Sequence, residues 1–411
     1  MTEVDWLPLH RPFITSEEIA AVTSVLQSGW LTTGMVCRHF EEEFASFLGV
    51  PHAVAVNSCT AALHLALEAT GCRPGDLVLV PVLTFAATAE VVTHFGATPV
   101  LVDCERDTLN IDVAAASSTI AAIAAGSPVP GVKVPGRMHA IIPVHYGGQM
   151  ADVDAVAALS ARHGLRVIED SAHALPASAQ AVTGQWRSVG TTAEQTCFSF
   201  YANKTLTTGE GGMLVTHNPD IAARVRRMSL HGISKSANQS FVSGMSWDYQ
   251  ILSPGFKYNL ADMAAALGRE QLKKATQLCQ ARSRIAARYH ELLSDVEELE
   301  LPTVRADRRH AWHLYVLRLN LGRLRIDRDE FIEQLRQVGI GSSVHWRPLH
   351  LHPYYRDVQG YRAEDFPIAN TEWKRCISLP IFPSMTDSEI ERVAGAIRAI
   401  VSRSRRLVTS C

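Results

Sequence analysis

The chain has 411 residues, 47% of them hydrophobic and 19% charged, which excludes a largely disordered protein and is long enough for two domains with cores of their own. Lys and Arg number 39 against 41 Asp and Glu, for a net charge of −2, so the chain lacks the basic excess that nucleic acid binding leaves. Eight cysteines without a C-x-x-C pair exclude a zinc ribbon, a thioredoxin motif and a disulfide scaffold. The opening MTEVDWLPLHRPF has early acids and no apolar core, unlike a signal peptide. The longest apolar run, Leu77 to Leu83, contains Pro81 and is too short to span a bilayer. These features predict a soluble, cytoplasmic protein with no membrane or nucleic acid partner.

Helical and strand patterns then alternate along the chain. Ile19, Val22, Val25 and Leu26 give a helical period over 15–28, with Thr15 or Ser16 as N-cap. Residues 40–48 read as a second helix. HAVAVNS (52–58) is a β-branched run that ends in polar residues, and TAALHLALEAT (60–70) is helical. Strands are expected at 76–83, 98–103, 139–145 and 165–170, with helices at 88–96 and 152–164 between them. Their apolar runs lack strict alternation, as in a parallel sheet covered by helices on both faces. Residues 117–138 form a long connection whose part 126–137 is rich in Gly and Pro, an exposed loop. One or two long helical segments cover 260–294. A strand at 310–320, a helix at 327–339 and a last helix at 387–402 follow, and the change of texture places a domain boundary near residue 270.

In doubly wound sheets, ligands bind at the carboxyl ends of the strands, and four such ends carry polar residues here. Ser58, Cys59 and Thr60 open a helix after a strand. Free N–H groups there suit a phosphate, although a simple N-cap explains the same residues. Glu169 and Asp170 end a strand, where a carboxylate can hold a protonated heterocycle nitrogen or a metal, or merely cap the next helix. Lys204 lies in a polar turn before the Gly-rich turn Gly209, Gly211, Gly212. A surface lysine is usually solvated; a desolvated one becomes a nucleophile for Schiff bases. Phe85 follows another strand and suits either a cofactor ring or the core. Phosphate site, strand-end Asp and loop Lys, in that order, are the parts that pyridoxal phosphate chemistry needs.

These stretches resemble the DegT/DnrJ/EryC1/StrS family of pyridoxal phosphate-dependent sugar aminotransferases. The resemblance runs from SGWLTTG (28–34) to LPIFPSMT (379–386) and is carried most strongly by AVNSCTAALHLAL, VIEDSAHA, FSFYANKTLTTGEGGM and GFKYNLADMAAALGREQL. It implies an α/β fold of PLP-transferase fold type I. A large domain (1–270) would hold a mostly parallel seven-stranded sheet. A smaller α+β domain (271–411) would follow, with the N-terminal helix a candidate to pack on it.

The resemblance also implies residue roles. Lys204 carries the aldimine and shuttles the proton. Asp170 pairs with the pyridine nitrogen. His173 lies near the ring, and Phe85 stacks on it. Ser58, Cys59, Thr60 and Ser199 hold the phosphate, and Asn259 reaches the phosphate of the neighbouring subunit, which implies a homodimer. The family usually has Gly where this chain has Cys59. L-Glutamate would give its amine, through pyridoxamine phosphate, to a nucleotide-linked keto sugar. The element Trp247-x-Tyr249 before KYNL favours C4 of a UDP- or dTDP-4-keto sugar over a 3-keto sugar or a cyclitol ketone. Trp30, Tyr146, His345 and Arg347 are candidate substrate contacts. His350 and His352, at i and i+2, do not read as a metal site. Two rival readings weigh less. A C3-dehydratase would carry His in place of Lys204, and a pyridoxal phosphate-binding regulator would need a recognition helix or basic stripe.

Overall fold

The computed structural model describes residues 5–234 and 249–406. Strands run in chain order as β1 (His52–Val56), β2 (Leu77–Pro81), β3 (Thr98–Val102), β4 (Met138–Ile141), β5 (Arg166–Asp170), β6 (Ser178–Gln180), β7 (Trp186–Ser188), β8 (Gln195–Ser199) and β9 (Gly212–Thr216). Seven of them form one sheet in the order β1-β9-β8-β5-β4-β2-β3. The pairs β2–β3, β2–β4, β4–β5 and β5–β8 are parallel, and β9 runs antiparallel to both its neighbours. The sheet is therefore mostly parallel with one reversed strand.

Both faces of this sheet are dry, as the uninterrupted apolar runs predict. In β1, Val54 and Val56 enter one core while Ala53 and Ala55 enter another on the opposite face. In β2 the same alternation sends Val78 and Val80 one way and Leu77 and Leu79 the other. Helices α1 (Ser16–Ser28) and α2 (Met35–Leu48) precede β1; α3 (Cys59–Ala69), α4 (Ala87–His94), α5 (Val113–Ala124) and α6 (Val153–His163) connect successive strands; and α7 (Pro219–Met228) follows β9. Residues 117–124 thus belong to α5 rather than to a loop. Asp112 caps that helix by accepting from Ala114 N at 2.8 Å and Ala115 N at 3.0 Å, so the alanine-rich run propagates to Ala124.

One uninterrupted helix, α8 (Asp262–Leu293), joins two cores. Leu272 and Ala275 pack with Phe40, Phe44 and Phe200; Ile285, Tyr289 and Leu293 pack with Tyr315, Phe331 and Ile390. At its start, the Asp262 carboxylate accepts from Gly34 N at 2.7 Å and Cys37 N at 2.9 Å, which caps α2. The second core is covered by β10 (Leu299–Glu300), β12 (Tyr315–Leu319) and β13 (Cys376–Leu379), in that order, while β11 (Arg308–Arg309) pairs with β6. Helices α9 (Arg328–Gln337), α10 (Pro367–Trp373) and α11 (Asp387–Ser404) complete the chain.

The N-terminal helix packs on α8. Gln271 donates to Glu18 at 2.8 Å, and Lys274 meets the same carboxylate at 2.9 Å. Burial works against the Glu18 charge, but hydrogen bonds from Thr15, Lys274 and Gln271 win and hold the group down at about 2. The segment before α1 pairs at Leu7 with Ile340, beside the second core.

The strand expected over 310–320 begins only at Tyr315. Upstream, Ala311 N donates to Gly148 O at 2.9 Å and Leu314 N to Gly147 O at 3.0 Å. Trp312 adopts φ 52°, so the chain turns there instead of pleating. Among the described residues, no helix is long and apolar enough to cross a membrane.

Candidate active site

The sheet's carboxyl edge gathers the candidate residues. Ser58 follows β1, Phe85 follows β2, Asp170 ends β5, Ser199 ends β8, and Lys204 lies in the turn between β8 and β9. All of them, with Cys59, Thr60 and His173, line one cavity of about 440 Å³. Eight of the residues expected at the cofactor thus meet in one place, although the chain separates the first from the last by more than a hundred residues.

Each is placed by its element. Ser58 is the N-cap of α3, and its Oγ accepts from Ala61 N at 3.1 Å. The N–H groups of Cys59 and Thr60 begin the helix and have no acceptor within it. Gly212 makes room for that helix start: a Cβ there would stand 2.5 Å from the Ser58 carbonyl and 2.7 Å from Cys59 N. An amide-lined helix N-terminus with no bulk in front of it suits a phosphate.

Asp170 faces that helix start from the neighbouring strands. Its Oδ2 accepts from Thr88 Oγ1 at 2.8 Å and its Oδ1 from Ala172 N at 3.1 Å. Burial pushes this carboxyl above its ordinary value, and the two hydrogen bonds oppose the shift. A buried carboxylate in that state is completed by a cationic partner, such as a protonated ring nitrogen. Behind it, Glu169 accepts from Thr192 at 2.6 Å and Thr196 at 2.9 Å, with His145 at 3.5 Å.

Lys204 is half-buried in the cavity wall, and desolvation pushes its amine down to about 8. A substantial share of the amine is therefore neutral near pH 8, as a Schiff-base nucleophile or general base requires. His173 is buried, held well below its ordinary value by desolvation, and accepts from Gly147 N at 3.3 Å. Phe85 is 59% exposed, so its ring belongs to the cavity mouth and not to the core.

Asn259 lies outside this cavity. Its Nδ2 donates to Thr33 Oγ1 at 2.6 Å, and Lys257 donates to its Oδ1. Of the four substrate candidates, His345 alone lines the cavity. Tyr146 is buried beneath it and donates its hydroxyl to the His345 carbonyl. Arg347 stands over the Trp373 ring at 5.7 Å, and the Trp30 indole is packed beside Thr33 and Gly34. The cavity also takes in Thr84, Asn203, His313 and Trp346, which sequence reasoning missed. Trp346 stacks on His173 with centroids 5.0 Å apart. Two of these carry a sequence signal, proximity to a motif residue: Asn203 precedes Lys204 and Trp346 follows His345.

The donor set fits pyridoxal phosphate. Helix-start amides and hydroxyls stand ready for the phosphate, a buried carboxylate for the ring nitrogen and a half-buried amine, lowered by desolvation, for the aldehyde. Two lining residues, Asn203 and His313, also hold buried polar atoms that have no partner among the described residues.

The DegT/DnrJ/EryC1/StrS aminotransferase family model matches residues 12–398. The chain is 46% identical to the spore coat polysaccharide biosynthesis protein SpsC of Bacillus subtilis, over 96% of this chain and 97% of that one. It superposes on the putative sugar aminotransferase Spr1654 of Streptococcus pneumoniae in its PMP form, with a TM-score of 0.85 and 30% identity, covering 97% and 98% of the two chains. DesI, solved in the presence of its TDP-sugar product, gives a TM-score of 0.82 at 28% identity, covering 98% of this chain and 94% of that one. The chain belongs to the DegT/DnrJ/EryC1/StrS aminotransferase family and is a pyridoxal phosphate-dependent sugar aminotransferase of fold type I.

Proposed function

We propose that the chain transfers the amino group of L-glutamate to C4 of a UDP- or dTDP-linked 4-keto sugar, as a cytoplasmic homodimer whose two sites share residues. The single observation that carries this reading is the convergence of half-buried Lys204, with its lowered amine, buried Asp170 and the α3 N-terminus on one cavity. When bound, pyridoxal phosphate supplies an electron sink for the carbon that loses its proton. Lys204 Nζ is the base that takes this proton and the acid that returns it. Asp170 keeps a proton on the ring nitrogen. Cys59 and Thr60 bind phosphate through backbone N–H groups, with the Ser58 and Ser199 hydroxyls beside them. Phe85 covers the ring face, and His173 flanks it.

Asn259, outside its own chain's cavity, serves the phosphate in the neighbouring subunit. In this reading residues 1–270 form the large cofactor-bearing domain and 271–411 the small one, with α8 running through the division. The nucleotide-sugar assignment is supported by the TDP-sugar product of DesI. The C4 assignment rests on Trp247-x-Tyr249, of which Trp247 lies outside the described residues and Tyr249 is exposed.

The test is product identification. The holoenzyme is incubated with ¹⁵N-glutamate and, in turn, UDP- and dTDP-4-keto sugars and a 3-keto analogue. Nitrogen-15 at C4 of a 4-keto substrate is the expected result. Amination of the 3-keto sugar alone would overturn the C4 assignment. No transfer from glutamate, with transfer from another amino acid, would overturn the donor.

A further inference from the structure

The irregular segment before β12 brings His313 against Lys204. Its Nε2 stands 3.5 Å from Lys204 Nζ. Among the described residues, this is the one side-chain hydrogen-bond partner of that amine. The imidazole is buried, and its other nitrogen, Nδ1, has no partner among the described residues. A buried polar atom left unsatisfied carries a cost that an ordinary core residue would avoid.

The ring is also held firmly. One face packs on His173 with centroids 4.2 Å apart. The backbone on either side is tied to Gly147 and Gly148, and a Cβ at Gly148 would come within 3.1 Å of His313 N. From the other side, buried Arg282 donates to the His313 carbonyl at 3.4 Å and the Ile381 carbonyl at 2.7 Å. Burial, together with the nearby His173, Lys204, Arg282 and His345, keeps the imidazole neutral. A neutral imidazole protonated at Nδ1 presents Nε2 as a pure acceptor, and Lys204 has an N–H to give in both its amine and its ammonium form.

We infer that His313 is a positioning residue for the proton-transfer step: its Nε2 accepts a hydrogen bond from Lys204 Nζ and aims that nitrogen at the substrate carbon. The proton stays on Nζ, and none passes to His313. The inference rests on the proposed role of Lys204 as the base. It separates His313 from His173, which flanks the cofactor ring and makes no hydrogen bond to the lysine.

Two measurements test it. In the full chain labelled with ¹⁵N-histidine, the imidazole signals lost in His313→Gln identify this ring. Lys204→Met removes the donor, so the Nε2 signal should move downfield, toward an acceptor nitrogen with no hydrogen bond. In the holoenzyme, the half-reaction with L-glutamate is followed in a stopped-flow instrument, with and without deuterium at the α-carbon. His313→Ala should slow it on the order of 100-fold, because a small misplacement of a reacting group has that effect. The isotope effect should rise, and KM for glutamate should stay within about twofold. His313→Gln, whose amide oxygen is an acceptor at the same reach, should recover about tenfold of the loss. An unmoved Nε2 signal, an unchanged isotope effect, or a Gln variant as slow as the Ala variant would overturn the inference. The two readings fail separately. Transamination by Lys204→Met refutes the lysine assignment, whereas an inactive Lys204→Met beside a His313→Ala enzyme of normal rate refutes only the role of His313.

Discussion

Gly212→Ala tests the phosphate cradle with a single methyl group. Gly212 lies in β9 opposite Val56 and Ser199, directly under the start of α3. The new Cβ would stand 2.5 Å from the Ser58 carbonyl carbon and oxygen, where ordinary contact begins at 3.4 Å. The three nearest atoms are all backbone, so the worst of the crowding cannot be relieved by a side chain swinging away. The helix start must move by about 0.9 Å, or the strand must give by as much. A hydrogen bond of about 2.9 Å to a phosphate oxygen would then open to about 3.8 Å, beyond useful range. Losing one charge-assisted bond costs about 1.5–3 kcal/mol, which is about 10- to 150-fold in Kd. Overpacking also costs about 1–3 kcal/mol in stability. Titration of cofactor-free protein with pyridoxal phosphate, followed by absorbance, reads the first quantity, and urea denaturation reads the second. A Gly212→Ala protein that binds the cofactor as tightly as the parent would refute the assignment of the phosphate to this helix start.

Two further outcomes follow from the same geometry. Lys204 is pushed from 10.5 down to about 8, so between these values the unfolded chain holds a proton that the folded chain has lost. Stability of the cofactor-free protein should therefore rise with pH across this window, and the penalty should be complete below pH 8. Relative to Lys204→Met, the parent should gain about 2 kcal/mol between pH 8 and 9.5 in urea denaturation, and parallel curves would refute the depressed lysine. Gly395 lies inside α11, and a Cβ added there would meet nothing within 4 Å. Gly395→Ala should therefore stabilise the fold by about 0.5–1 kcal/mol without altering cofactor affinity, and a loss of stability would contradict this packing.

Much of this arrangement could be read in the sequence because it is local. A β-branched run, Ser58 and a helical period specify strand, cap and helix without reference to the rest of the chain. The same holds for Asp170 at a strand end and Lys204 between two strands. What stayed hidden depends on distant partners. His313 lies in an apolar stretch that reads as pleated strand, and its backbone is instead tied to Gly147 and Gly148, more than 150 residues away in the chain, and to Arg282. Arg347 sits among motif residues, yet the Trp373 ring draws its guanidinium away from the cavity. Residues 117–124 read as a connection because their sequence, SSTIAAIA, mixes small polar and apolar residues without a marked helix period. The cap that extends that helix, Asp112, lies just before it. Tyr146 also sits in a motif, but it lies beneath the cavity and supports His345 from below.

The joint hold of Lys204, Asp170 and the α3 N-terminus on pyridoxal phosphate underlies the proposed transamination. Its most direct test is the visible absorption spectrum of the holoenzyme before and after L-glutamate, in the parent and in Lys204→Ala. The parent should show a cofactor band that glutamate converts to the amine form and that a 4-keto nucleotide sugar restores. In Lys204→Ala, glutamate should produce no catalytic conversion. Equal conversion in the two proteins would remove Lys204 from the proton transfer.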